Sequence, residues 1–153
     1  MTTPRRVLFV AHAYPRFAGD VAGSFLHRLA TALLSDGLQV RVVAPSGPGL
    51  AHEQELDGVE IVRYRYAHPA RETLAYTGTM AEQALAGPRG LLSLVGLLRA
   101  GVRAVRHEVT RWHPDVIHAH WWFPGGLQVH LARTGVPWVL TLHGSDVRLI
   151  GAN

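Results

Sequence analysis

Residues 6–45 read RVLFVAHAYPRFAGDVAGSFLHRLATALLSDGLQVRVVAP, and this stretch decides the fold. Arg6 to His12 is a short, continuous apolar run, the pattern of a strand buried on both faces of a parallel sheet. A loop over 13–23 follows, punctuated by Pro15, Gly19 and Gly23. Ser24 is placed to cap a helix in which Phe25, Leu26, Leu29, Ala30, Leu33 and Leu34 recur at helical spacing. Gly37 suits the left-handed turn that stops a helix. Gln39 to Ala44 is a second apolar strand, ended by Pro45. Strand, glycine loop, helix and strand make one βαβ unit, whose crossover is right-handed.

Working outward, the alternation continues. Residues 45–58 read as a Gly/Pro loop, and Val59 to Tyr66 as a third strand near a sheet edge. Residues 67–88 have no clean period; Leu74 to Ala86 has helix-forming composition, interrupted by Gly78. A long helix is expected from Pro88 or Arg89 to Trp112. Leu94, Leu97, Leu98, Val102 and Val105 lie mostly on one side of it, and Arg99, Arg103 and Arg106 on another. Val116 to His120 is a fourth strand, 121–126 a loop, Leu127 to Arg133 a short helix and Pro137 to Leu142 a fifth strand. The stretch from His143 to Asn153 is a loop or the start of a further helix. The expected fold is α/β: a Rossmann-like, mostly parallel sheet flanked by helices, one domain over 1–153.

Composition narrows the class. The chain has 153 residues, 48% apolar and 17% charged, which excludes a disordered chain. It contains no cysteine, so disulfides and thiolate metal sites are excluded. No apolar run approaches the ~20 residues of a membrane span, and the N-terminus lacks a signal-peptide pattern, so the expectation is cytoplasmic. Net charge is +4, and all 15 basic residues are arginine. Arginine suits phosphate and anionic-lipid contacts.

Open parallel sheets bind ligands beyond the carboxyl ends of their strands. That rule selects the loops 13–23, 121–126 and 143–148. Gly19 and Gly23 precede a helix N-terminus, but spell neither a dinucleotide fingerprint nor a P-loop. They fit a flexible turn or a backbone cradle for a phosphate or sugar hydroxyl. His118 and His120 are two apart in a strand and share a face. A metal is conceivable there, but no third ligand is singled out. The other reading has one packing histidine and one, His120, touching ligand. His143-Gly144-Ser145-Asp146 follows a buried strand directly. His143 can exchange a proton near neutral pH, Gly144 permits close backbone approach, and Asp146 either caps the next helix or holds a hydroxyl. Ser145 lacks a nucleophile elbow. The arginine stripe is either a solvated face or a contact for anionic lipid. No nucleic-acid recognition module is spelled.

Two stretches carry a family resemblance: VLFVAHAYPRFAGDVAGSFLHRLATALLSDGLQVRVVAP and PDVIHAHWWFPGGLQVHLARTGVPWVLTLHGSDV. The second is the more specific, with DVIHAH followed by a strand ending TLHGSD. Together they resemble the N-terminal domain of a family 4 glycosyltransferase, a retaining enzyme of the GT-B fold. The resemblance implies two Rossmann-like domains across a cleft, the first holding a glycan or lipid acceptor and the second the nucleotide sugar. It implies transfer of a hexose with retention, with no cofactor and no bound metal; the cytoplasmic expectation above becomes peripheral at the inner face of the membrane if the stripe of Arg99, Arg103 and Arg106 faces lipid. His143 matches the cleft histidine that contacts the transferred sugar, and Asp146 belongs to the same motif, so both stand as catalytic candidates. Gly19, Asp20, Gly23, His120, Gly144 and Ser145 stand as substrate-binding candidates. Two features depart from the family. The first loop reads Ala18-Gly19-Asp20 where adjacent glycines are usual, and no E-x7-E motif of the second domain is present. The chain is therefore expected to be a fragment, inactive alone. The alternative is a non-catalytic Rossmann-like module that binds a nucleotide or sugar.

Overall fold

The apolar run at the N-terminus becomes the middle of a sheet. In the computed structural model, which describes residues 5–77 and 79–150, β1 spans Arg6–Val10, and its Leu8, Phe9 and Val10 have no exposed surface. Burial of such side chains is worth roughly 1.5–3 kcal/mol each. β1 lies between β2 (Gln39–Pro45) and β5 (Val116–His120), parallel to both. The order across the sheet is β3-β4-β2-β1-β5-β6, with β3 at Glu53–Leu56, β4 at Val59–Tyr64 and β6 at Trp138–Thr141. Among the described residues only the β3–β4 pairing is antiparallel.

Strand alternation sorts the core into two layers. Val7, Phe9, Val42 and Ile61 meet Leu26 and Ala30 of α1 (Ser24–Ser35). Leu8, Val10, Val43 and Ile117 meet Leu97 and Val105 of the long helix and Val129 and Ala132 of the short one. These helices are α3 (Pro88–Trp112) and α4 (Leu127–Ala132), preceded by α2 (Met80–Leu85). α3 approaches α4 closely because Gly101 has no side chain. A Cβ there would sit 2.1 Å from Nε2 of buried Gln128, which donates to Tyr64 Oη and to the Leu97 carbonyl.

Four expectations are corrected. Residues 45–58 are not all loop: Glu53–Leu56 pairs with β4, and His52 extends the pairing by accepting from Arg63 N. Ser24 is the first helical residue rather than the cap; Gly23 holds that place in a left-handed conformation, with no side-chain cap. The helix expected around 74–86 begins only at Met80, where Thr79 Oγ1 accepts from Glu82 N; Gly78 lies outside the described residues, as do 1–4 and 151–153. Arg106 is not part of a free basic face. Its guanidinium donates to the Leu131 and Ala132 carbonyls and closes the C-terminus of α4. The stretch after 143 is helical, α5 (Gly144–Ile150). No described helix is long and apolar enough to cross a membrane.

Candidate functional site

The strand order reverses beside β1: the chain moves from β1 through β2 to β4, then returns to place β5 on the other side of β1. The carboxyl ends of β1 and β5 therefore flank the switch point where such sheets bind ligands. His12 follows β1 there, and His120 ends β5. His143 follows the neighbouring strand, β6.

These side chains form one aromatic cluster. The His120 and His143 rings lie 5.6 Å apart and 25° from parallel, with His143 Nε2 3.4 Å from His120 Nδ1. His118 stacks on His120 at 4.0 Å, and its Nε2 is 2.7 Å from Thr141 Oγ1. Trp121 packs on His143 at 4.5 Å and on His12 at 4.3 Å, while Phe25, from the first turn of α1, lies 4.9 Å from His143. The shared face expected for His118 and His120 is thus observed. Among the described residues no trio of His, Cys, Asp or Glu is set to hold a metal ion.

Burial dominates the electrostatics. It pulls His120 down to about 3, with repulsion from His118 and His143 adding to the shift. It pulls His12 down to about 4, against the attraction of Asp146 and with repulsion from His143. His118 and His143 are lowered for the same first reason, and Asp146 partly offsets the shift of His143. The site is therefore a set of neutral imidazoles that donate or accept hydrogen bonds at neutral pH. Two of their nitrogens, His12 Nδ1 and His120 Nε2, are buried without a partner. Such groups carry an unmet desolvation cost that a bound hydroxyl or phosphate oxygen relieves.

Asp146 is buried, and its carboxylate accepts from His143 N at 3.0 Å while its own N–H donates to His143 O. This reciprocal pair closes the first turn of α5 and fixes the backbone of His143. Gly144 and Ser145 are exposed on the same turn.

The first loop is held by side chains as well as shaped by its glycines. Asp20 turns inward, accepting from Arg16 N, Nε and Nη2 and from Ala22 N. The Arg16 guanidinium holds its carboxyl well below the usual carboxylate range. Gly23 is required by contact: a Cβ would sit 2.6 Å from the Ala13 carbonyl oxygen. Gly19 is left-handed and open on all sides. With Asp20 it lines a cavity of about 250 Å³ shared with Ser24, His27 and Asp57, and none of the strand-end histidines enters it. A larger cavity, about 320 Å³, is lined by Arg41, Glu60 and Arg111 at the opposite, amino end of the strands. The structure thus joins His120, His143 and Asp146, sets Gly19 and Asp20 beside a separate cavity, and adds His12, Trp121 and Phe25. His12 was detectable by the strand-end rule that selects His120. Trp121 opens the loop 121–126 that the same rule selects, whereas Phe25 read from sequence only as an apolar position of α1.

A six-stranded, mostly parallel sheet flanked by helices defines a Rossmann-like α/β domain. The chain belongs to the glycosyl transferase 4-like domain family, whose sequence model matches residues 22–152. It is 32% identical over 146 residues to the glycogen synthase of Mycobacterium tuberculosis (strains H37Rv and CDC 1551 / Oshkosh), covering 92% of this chain and 34% of the relative. The chain thus spans about a third of the length of the curated relatives it matches. Among solved structures, the sucrose-phosphate synthase of Thermosynechococcus elongatus shares the fold with a TM-score of 0.59 at 16% identity, over 94% of this chain and 34% of that one. A shorter chain of the same synthase aligns with a TM-score of 0.58 at 15% identity, over 95% of this chain and 68% of that one.

Proposed function

We propose that this chain forms the acceptor-side wall of a retaining glycosyltransferase that moves a hexose from a nucleotide sugar to a glycan or lipid acceptor. The observation that carries the reading is the convergence of His12, His120 and His143 at the switch point, neutral and with buried nitrogens lacking partners. In the reaction, the bond from the anomeric carbon to the departing phosphate oxygen breaks and a bond to an acceptor oxygen forms. The acceptor proton leaves with the diphosphate. His143 hydrogen-bonds the transferred sugar as donor or acceptor, and Asp146 positions it through the backbone. His120 supports the ring of His143 and offers Nε2 to the acceptor.

The nucleotide-sugar domain is proposed to lie outside these residues, in a cytoplasmic protein. Trp138, Val139, Leu140 and Leu142, on and just after edge strand β6, are each 39–52% exposed, an apolar edge suited to cover by further chain. The test is acceptor-dependent release of nucleoside diphosphate by the full-length protein, with product configuration read by NMR. Release with retention is expected, and none from residues 1–153 alone. Tight nucleotide binding by this piece without turnover of the whole protein favours the binding-module reading instead.

A further inference from the structure

The outer face of α3 remains unexplained by the strand-end site. Its inner face, with Leu97, Ala100, Gly101, Val105 and Glu108 buried, supplies the core contact. A solvated outer face would ordinarily be polar throughout. Here the outward line runs Leu92, Val95, Arg99, Arg103, with Leu92 71% and Val95 51% exposed. Leu91 beside them is 50% exposed, and Leu85, at the end of α2, is 77% exposed. These apolar side chains are additional to those that fill the core.

Charge follows the same axis. The only carboxylate in α3 is Glu108, which is buried on Arg41. Among the described residues Arg99 and Arg103 have no carboxylate partner, because the nearest acid along the chain, Glu108, is turned inward onto Arg41. Leu92 to Arg103 spans about 16 Å of helix axis, apolar at one end and cationic at the other. β4 and β5 both run parallel to the central strands, so the intervening α3 returns antiparallel to them. Its apolar end therefore lies at the carboxyl end of the sheet, the end that carries His120 and His143.

We propose that this face binds an anionic lipid bilayer. Leu85, Leu91, Leu92 and Val95 enter the boundary between head groups and acyl chains, and Arg99 and Arg103 hold anionic head groups at its rim. An interfacial helix of this kind buries its apolar face about 5–10 Å deep. A two-fold contact with a second copy fits less well, because α3 offers no exposed carboxylate to pair with the arginines. The proposal is independent of the transferase reading, since vesicle binding is measured without any sugar.

The test is flotation of the full chain with vesicles of phosphatidylcholine alone or mixed with phosphatidylglycerol, at low and high salt. Binding to the anionic vesicles, weakened by salt, is expected. Arg99→Gln with Arg103→Gln should lower the partition coefficient roughly thirtyfold. Leu92→Gln with Val95→Gln should also release the protein, and Arg28→Gln on α1 should not. All are surface changes, and an unchanged circular dichroism spectrum shows that the variants fold. Absence of binding to anionic vesicles at low salt overturns the proposal, as does an equal loss for Arg28→Gln. Self-association abolished by Leu92→Gln, without vesicle binding, would assign the face to a second copy and likewise overturn it.

Discussion

His143 Nε2 lies 3.4 Å from His120 Nδ1, and the nitrogen on the far side of the His120 ring, Nε2, is buried without a partner. Whichever ring donates, His120 Nε2 stays unpaired. If His143 donates, neutral His120 carries an unmet N–H. If His120 donates, Nε2 is an unmet acceptor. The pair therefore leaves one hydrogen-bonding capacity of His120 unmet in the fold. Replacement of His143 by Ala is expected to lower kcat/KM of the full-length protein in the proposed transfer roughly a hundredfold, the low end of what a positioned polar group contributes. His120→Phe keeps the stacking and removes the nitrogens, so it should raise the acceptor KM with little change in fold. Steady-state kinetics with varied acceptor check both, and an unchanged kcat/KM in His143→Ala removes that residue from the site.

The same histidines make stability depend on pH. His12 and His120 titrate near 4 and 3 in the fold against 6.5 when free, so the unfolded chain binds more protons between those values. Stability is then complete above pH 6.5 and falls as pH drops toward 4. For His120 the loss over that interval is on the order of 3 kcal/mol. Asp20 adds little in this window, because its free value of 3.8 already lies below it and Arg16 lowers the folded value further; its contribution is lost only at more acid pH. Urea melts across the interval should show the decline, and His120→Gln should flatten it. An equally steep decline in that variant would refute the assignment.

What the sequence disclosed depended on how each segment is held. The β1–α1–β2 unit was legible because its strands are buried on both faces and its helix on one. β3 was hidden because Glu53-Gln54-Glu55-Leu56 is an edge strand with no apolar face, held by its backbone ladder to β4. His120 and His143 were legible from position alone, at strand ends. Arg63 was not, since strand alternation places it with Arg65 and suggests an outward face. Arg65 is exposed and Arg63 is wholly buried, because the loop after β1 folds across that part of β4.

The two glycines of the first loop should separate in a substitution test. Gly23 and Gly19 both have left-handed backbones, at φ +67° and +87°. An Ala at Gly19 meets nothing and suffers only the backbone cost, about 1–2 kcal/mol. An Ala at Gly23 adds a clash with the Ala13 carbonyl oxygen at 2.6 Å, a backbone atom that cannot step aside without moving β1. Gly23→Ala is therefore expected to be the more destabilising by at least about 1 kcal/mol. Thermal melts of the two variants check the ranking, and equal shifts would show that the loop adapts.

Arg63 provides the last prediction. Its side chain has no exposed surface and, among the described residues, no carboxylate partner. It donates to Pro15 O at 2.5 Å and Tyr76 Oη at 2.8 Å, with Gln54 Oε1 at 3.1 Å completing the grip. Gln54 in turn donates to Arg16 O, so the β3–β4 hairpin clamps the backbone of residues 15–16 from two sides. Charge-assisted bonds of this type contribute more than neutral ones, and removal of the donor leaves buried carbonyls unmet at about 1–3 kcal/mol each. Arg63→Met, similar in length and apolar, is expected to cost about 2–4 kcal/mol and to loosen residues 14–20 while the core of β1 stays protected. Hydrogen exchange resolved by residue would show this as faster exchange at Arg16, Asp20 and Ala22 with Leu8 and Phe9 unchanged. Uniformly faster exchange would instead make Arg63 a general support of the fold rather than the clamp on this loop.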